Sequence, residues 1–361
     1  MWLCRDSSGN EFALKQIAKK SNNTNAMIAR REIDILNCLN NKSDSANTKM
    51  ITLFDHIEDN NDLWLIFEKG GRSVSNLIFK IKGEFLNNER IYLIKKGDFL
   101  KHLFLDINNL KSFLTQMLNF IHFLNTHGIV HCDLKPDNIL IDYEYDNKDY
   151  ENILINTEGD SNNIPSGKNS NKQFNFNLQD NNTNTDNTTN NNKLIIKNLK
   201  IIDFGSAFFL SNPDNFSSNT PEYMSPEITD LIEKNVSSKE ITSFLKNLKQ
   251  YPWCIDMWSL GVTILEMALS CPLWMSYKAK VVIYGKVIYK TGLFGVKGRS
   301  GSKIYSKQIE VSNNVHKLMQ DCLVKNEKDK QLLSDLLSQM LDLNYKTRIS
   351  PLNALNHEFF S

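Results

Sequence analysis

The chain lacks any paired-cysteine spacing: Cys4, Cys38, Cys132, Cys254, Cys271 and Cys322 never approach Cys-x-x-Cys. That excludes a zinc ribbon or a disulfide framework and fits reduced, intracellular thiols. Net charge is nearly absent as well, with 42 Lys and Arg against 41 Asp and Glu. No overall field draws the chain to nucleic acid or to an anionic membrane, so a charged partner must meet a local patch. Met1 to Asp6 contain no apolar signal core, which points to a cytoplasmic or nuclear protein. The one long apolar run, Met257 to Met275, carries Glu266 near its middle and Pro272 before its end. A carboxylate at a bilayer centre costs about 3 kcal/mol, so the run reads as a buried helix and no membrane partner is expected. No internal repeat is visible.

The chain is long enough, at 361 residues, for two domains or one two-lobed domain. Asp6 to Asn10 have turn chemistry and residues 11 to 19 alternate, so a β-hairpin opens the chain. Ile28, Ile33, Ile35, Leu36 and Leu39 lie at near-helical spacing, which places Glu32 on a helix over 26–39. Met50 to Phe54 and Leu63 to Glu68 read as strands separated by the polar turn His56 to Asp62. The apolar pattern from Leu110 to Thr126 predicts a buried helix, and further helices are expected over 256–270 and 330–343. Asparagine supplies 13 of the 32 residues from 161 to 192, too polar a tract to offset its ordering entropy. It reads as a disordered insertion over about 145–193. A sheet with one helix followed by mostly helices predicts a two-lobed α+β protein with a cleft between the lobes.

His131-Cys132-Asp133-Leu134-Lys135-Pro136-Asp137-Asn138 puts a base, a cation and a metal ligand within eight residues. Phosphoryl transfer needs those three groups together, because the enzyme mainly positions reactants and neutralises charge. Alone, Asp133 or Asn138 would pass for a turn residue or a cap. Their shared spacing removes that explanation.

These residues, with Asp203-Phe204-Gly205 after a strand over 199–202, resemble the eukaryotic protein serine/threonine kinases. The resemblance implies a bilobal α+β fold, with a small N-terminal β-sheet lobe carrying one helix over about 1–68. A larger, mainly helical C-terminal lobe would cover about 71–361. It further implies that Asp133 orients the acceptor hydroxyl and takes its proton, while Lys135 offsets charge on the transferred phosphate. Asn138 and Asp203 would hold Mg2+, and Gly205 would allow an unusual backbone turn. Ala13-Leu14-Lys15 resembles the family's nucleotide-binding strand, with Lys15 on the ATP phosphates and Glu32 as its helix partner. Phe67 stands at the gatekeeper position before Glu68-Lys69-Gly70, where backbone groups of Glu68 and Gly70 would meet adenine. Ala13 and Leu140 would sandwich the ring.

Thr220 to Glu227 resembles the end of the activation segment, with Ser225 where alanine is usual. By the same resemblance Glu227 pairs with Arg348, and Asp256 ties down the catalytic-loop backbone. Lys135 with Thr220 favours a protein substrate with serine or threonine acceptors, acted on by a monomer. The spacing from Glu227 to Arg348 is similar, loosely, to the CMGC group and its SR-protein-kinase-like members. Insertions are expected near 80–108, 143–193, 228–250 and 276–330.

Two departures stand out. Cys132 occupies the place of an arginine that pairs with a phosphorylated activation loop, and cysteine cannot do so. Phosphorylation at Ser211, Ser217 or Ser218 is therefore expected to be dispensable. The family's Gly-rich loop has no counterpart in the 14 residues before Lys15, so the chain is expected to be truncated ahead of it. Gly292, Gly295, Gly298 and Gly301 read instead as a loop of the helical lobe. A pseudokinase or impaired fragment acting as a scaffold is the alternative function, although a scaffold has no chemical need for the complete set of residues. Thr220 to Glu227 and Asp256 to Gly261 argue against a small-molecule kinase.

Overall fold

The computed structural model describes residues 1–19, 23–40, 49–86, 89–145, 194–213, 216, 220–270, 279–283, 286–290 and 302–361. Its contacts form one unit of Met1–Asp142 with Ile196–Ser361, and a second of Tyr143–Ile195. The site lies in the first. Most of the Asn-rich tract, and all four glycines from Gly292 to Gly301, lie outside the described residues.

The N-terminal sheet has strand order β1-β2-β4-β3, with β1 (Trp2–Arg5), β2 (Glu11–Ala18), β3 (Leu53–Glu58) and β4 (Asp62–Glu68). In the β1–β2 turn the Asp6 carboxylate accepts from the backbone of Ser8 and Asn10, and Gly9 takes φ +87°. That conformation is open to glycine at little cost. Alternate β4 residues Leu63, Leu65 and Phe67 are buried. Helix α1 (Asn23–Asn40) contributes Ala29, Ile33, Leu36 and Leu39 to the same apolar interior.

The strand expected over 50–54 is displaced. It runs Leu53–Glu58, so His56 to Glu58 belong to the strand and Asp59 to Asn61 make the turn. As an edge strand with only Leu53 buried, it offers no two-sided hydrophobic alternation to read. Met50 instead makes a parallel bridge to Ile201.

Beyond the hinge lie β5 (Arg72–Ser73), a short helix Val74–Ile78, β6 (Phe79–Leu86), β7 (Glu89–Lys96), α2 (Asp98–Leu105) and α3 (Ile107–Thr126). The Asp106 side chain caps α3 by accepting from the Asn108 amide. Strands β8 (Ile129–Val130), β9 (Ile139–Tyr145), β10 (Leu194–Ile201) and β11 (Phe208–Phe209) flank the segments His131–Asn138 and Asp203–Gly205, in small sheets ordered β10-β9-β5 and β11-β8. Helices α4 (Pro226–Glu233), α5 (Ser238–Asn247), α6 (Cys254–Leu269), α7 (Ser302–Asn313) and α8 (Glu327–Met340) complete most of the lobe.

Every residue of α6 except Leu269 is buried, including Asp256 and Glu266. It is a central core helix, as its apolar run suggests. Among the described residues no helix is long and apolar enough to cross a membrane. Two of the expected insertions form strands: β12 (Ala279–Ile283) and β13 (Lys286–Lys290) join β7 and β6 in the order β13-β12-β7-β6. The β7–β12 pair is parallel. The five described cysteines are free.

Candidate functional site

Lys15 sits on β2 opposite Leu65 of β4, which holds its backbone in the sheet centre. Its Nζ donates to Glu32 Oε1 at 3.0 Å and Oε2 at 2.8 Å, and to Asp203 Oδ1 at 2.8 Å. Burial acts to lower the ammonium pKa, but Glu32 and Asp203 outweigh it and the net direction is up. Burial pushes Glu32 up against the opposing pull of Lys15. Burial also acts to raise Asp203, yet the Lys15 charge and hydrogen bond hold it below the usual carboxylate range. One cation thus ties the sheet, α1 and the segment after β10.

The loop after β8 is shaped from below by Asp256 of α6. Its two carboxylate oxygens accept from the backbone amides of His131 and Cys132, each at 2.9 Å. Burial raises the Asp256 carboxyl pKa, with His131 and those two amide bonds opposing. Cys132 takes φ +64°, a left-handed conformation uncommon outside glycine. Its side chain packs in a core with Phe208, Leu210 and Met224, and burial pushes the thiol pKa well up. His131 Nδ1 accepts from the Asp133 amide at 3.3 Å, so Nε2 carries the proton and donates to the Ile202 carbonyl at 3.2 Å.

Asp133 is met from two sides. Lys135 Nζ donates to its Oδ2 at 2.8 Å, and Asn138 Nδ2 donates to the same oxygen at 3.0 Å and to the Asp133 carbonyl at 2.8 Å. Oδ1 is left for another donor. Lys135 also donates to Thr220 Oγ1 at 2.6 Å, joining the loop after β8 to the segment before α4. The Asn138 amide oxygen and the second carboxylate oxygen of Asp203 are likewise uncommitted, and the Ile202 amide donates to the Asn138 carbonyl at 3.0 Å.

The unusual backbone of Asp203-Phe204-Gly205 is at Asp203, with φ +65°, and not at Gly205 as expected. Gly205 serves close approach instead. A Cβ there would come within 3.3 Å of Asp203 Oδ1, while the Gly205 carbonyl accepts from Arg31 Nη2 at 2.9 Å. Phe204 stacks edge-on with His131, centroids 4.9 Å apart.

One cleft is lined by Ala13, Lys15 and Glu32, by Phe67, Glu68 and Gly70, and by Asn138, Leu140 and Asp203. Asp133 and Lys135 join it through Asn138. Sequence reasoning missed Met1, Ile51 and Ile202, which line it too. Ile202 had a signal, being the residue before Asp203. A Cβ at Gly70 would lie 2.1 Å from Leu140 Cδ1, so a side chain there would turn the end of Leu140 aside. The Glu68 carboxylate accepts from the Thr52 amide at 2.7 Å and Lys200 Nζ at 2.5 Å, while its own amide donates to the Thr52 carbonyl at 3.0 Å. Those contacts leave the Glu68 carbonyl as the polar backbone group not used in them.

Below the cleft, Arg348 Nη1 and Nη2 donate to the two oxygens of Glu227 at 2.9 and 3.0 Å. Nη1 and Nε also reach the carbonyls of Cys254 and Asp342, so all three nitrogens of this buried cation have partners. Tyr223 donates to Glu266 Oε2 at 2.7 Å. Burial, then the Glu266 charge, pushes that phenol pKa well up.

Residues 2–159 and 178–360 match the Protein kinase domain family. Among similar proteins, Serine/threonine-protein kinase ppk15 of Schizosaccharomyces pombe is 24% identical over 99% of this chain. Serine/threonine-protein kinase PLK4 of Nematostella vectensis is 22% identical over 92% of it, and Serine/threonine-protein kinase GIN4 of Saccharomyces cerevisiae 29% over 42%. The matched stretch spans 59%, 23% and 13% of those proteins respectively. With a match that extends over nearly all of its length, the chain belongs to the protein kinase family.

Proposed function

We propose that this chain transfers the γ-phosphate of ATP to serine or threonine hydroxyls of protein substrates. The observation that carries the proposal is the meeting of Asp133, Lys135 and Asn138 with the Lys15–Glu32–Asp203 cluster at one cleft. In this reading the Glu68 carbonyl and the backbone of Gly70 hold adenine between Ala13 and Leu140. Lys15, oriented by Glu32, meets the α- and β-phosphates. Oδ1 of Asp133 accepts the proton of the acceptor hydroxyl as its oxygen bonds to the γ-phosphorus and the bond from that phosphorus to the bridging oxygen breaks, with ADP as the leaving group. Lys135, already against Asp133, offsets the charge that builds on the transferred group.

The donor set suits magnesium. Asn138 and Asp203 offer one amide and one carboxylate oxygen without other partners, and Mg2+ is held by one or two carboxylates plus substrate phosphates. Among the described residues no group of three or more His, Cys, Asp or Glu is arranged to hold a metal ion. When bound there, the ion supplies positive charge to the phosphate oxygens.

The test is phosphate transfer from ATP to serine- and threonine-bearing peptides by the chain and by Asp133→Asn. Loss of a positioned base costs about 10²- to 10⁴-fold, so the variant should lose at least about a hundredfold in kcat while still binding nucleotide. Equal background rates from both proteins, with nucleotide bound, would instead identify a scaffold. Binding is read separately as a magnesium-dependent rise in Tm.

A further inference from the structure

The front of the N-terminal sheet carries Lys15, and its back is apolar. Leu63-Trp64-Leu65-Ile66-Phe67 in β4 is an unbroken apolar run, the pattern of a strand covered on both faces. Leu63, Leu65 and Phe67 are buried on the front, while Trp64 and Ile66 on the back stay partly exposed. Strand register sets further apolar residues beside these two. Trp2 of β1 pairs with Leu14 of β2, which pairs with Ile66, and Trp64 pairs with Ile57 of β3. Phe54 sits at the irregularity in β3, with its ring edge-on to Phe12 at 5.7 Å. Trp2 is 60% exposed, and Phe54 and Ile57 are each 55% exposed.

Together these side chains present roughly 500 Å² of apolar surface, with an aromatic side chain taken at about 150–250 Å². A contiguous patch of that size is at the upper end of what soluble monomers expose and marks an interaction site. Two copies of the face would bury about 1,000 Å² between them, the least that a specific interface needs. Charge favours a second copy over a foreign partner. With 42 basic and 41 acidic residues, two chains do not repel each other. The rim shows no single sign either: Glu11 holds Arg5 and Lys69 on one side, and Glu58 holds Lys19 and Arg30 on the other. Arg5 and Lys69 thus share one carboxylate. Asp55 of β3, which accepts from the His56 amide, makes no ion pair among the described residues.

We propose that the back of this sheet is the interface of a symmetric dimer, in which two copies of the chain pack face to face. The strands β1 and β3 are opposite edges of the sheet, so a two-fold axis parallel to the strands lays β1 of one copy over β3 of the other. Trp2, in the row of Leu14, Ile66 and Asp55, then enters between Phe54 and Ile57 of the second copy. The same operation carries the edge with Arg5 to the edge with Asp55. Ala13, Lys15 and Phe67 line the cleft from the front, so the cleft stays open in such a pair. A dimer thereby replaces the monomer that the family resemblance implies, whether or not the chain transfers phosphate.

Sedimentation equilibrium from about 1 to about 200 µM should give a dimer with Kd on the order of 10 µM, as fits the low end of interface size. Phe54→Asp and Ile57→Asp each bury a charge in the apolar contact, and Trp2→Ala removes its largest side chain. Each should raise Kd at least about tenfold while Tm changes little. Hydrogen exchange over residues 53–58 of the wild type should slow as concentration rises. A wild type that stays monomeric at the highest concentration, with the same exchange throughout, overturns the proposal and leaves the face to a foreign partner. So does a dimer whose Kd none of the three substitutions moves. Should a substituted chain fail to fold, the concentration dependence of exchange in the wild type decides by itself.

Discussion

Lys15 places one ammonium against two carboxylates of different burial, and the consequence is a pH dependence that can be read from Asp203. Its pKa is held down by Lys15 against the upward push of burial. Stability from that pair is present above the unfolded carboxyl pKa of about 3.9 and lost as pH falls through the lower folded value. In Lys15→Met the cation is gone while the burial remains, so the Asp203 pKa must rise. In the proposed function magnesium-dependent nucleotide binding needs the carboxylate, and its acid limb should therefore move to higher pH in the variant. Titrating the magnesium enhancement of nucleotide binding from neutral pH downward checks this. A shared acid midpoint would show that Lys15 does not govern the Asp203 charge. Cys132 is the other informative residue: its thiol is buried in a core with Phe208, Leu210 and Met224 and offers no charge to pair with a phosphate, while Ser217 and Ser218 of the expectation lie outside the described residues.

At the scale of elements, the buried ion pairs and carboxylate caps hold segments that hydrophobic contact alone would leave undetermined. Asp256 of α6 accepts from two consecutive amides of the loop after β8, and Arg348 clamps Glu227 at the start of α4. Removing one partner of a buried pair strands the other charge, at a cost of about 3 to 5 kcal/mol. Arg348→Met should therefore lower stability by that amount in urea denaturation, and the double variant Arg348→Met with Glu227→Gln should recover part of it. No recovery would mean that Arg348 acts through its carbonyl contacts and not through Glu227. Helices α1, α3 and α6 were legible in advance because each presents an apolar pattern long enough to set its period. Strand β3 was not, since an edge strand with a single buried residue has no alternation to read.

Across the whole molecule, Asn-rich sequence separates β9 from β10, yet the two strands are neighbours in one sheet. Replacing residues 146–193 by a short Gly-Ser linker should leave nucleotide binding within about twofold, because such a tract buries too little apolar surface to contribute. Binding lost in a protein whose Tm is unchanged would assign the tract a role in the site. The pairing of β7 with β12 illustrates the opposite limit. Both strands lie in stretches expected only to be insertions, and nothing local tells which distant strand each will join.

What the sequence determined by itself was the chemistry: the residue types of the catalytic loop, the strand lysine, the helix glutamate and the Asp203 segment occur at spacings that local folding can use. Tertiary structure decided which atoms are committed and which are left over. It placed the strained backbone at Asp203 and gave Gly205 a steric role. It left Oδ1 of Asp133 uncommitted, and it brought Gln308 from a separate helix onto the Met224 carbonyl. The physical reason is that hydrogen-bond saturation and close packing depend on neighbours far apart in the chain. Residue identity and period are local, and only the folded chain sets those long-range contacts.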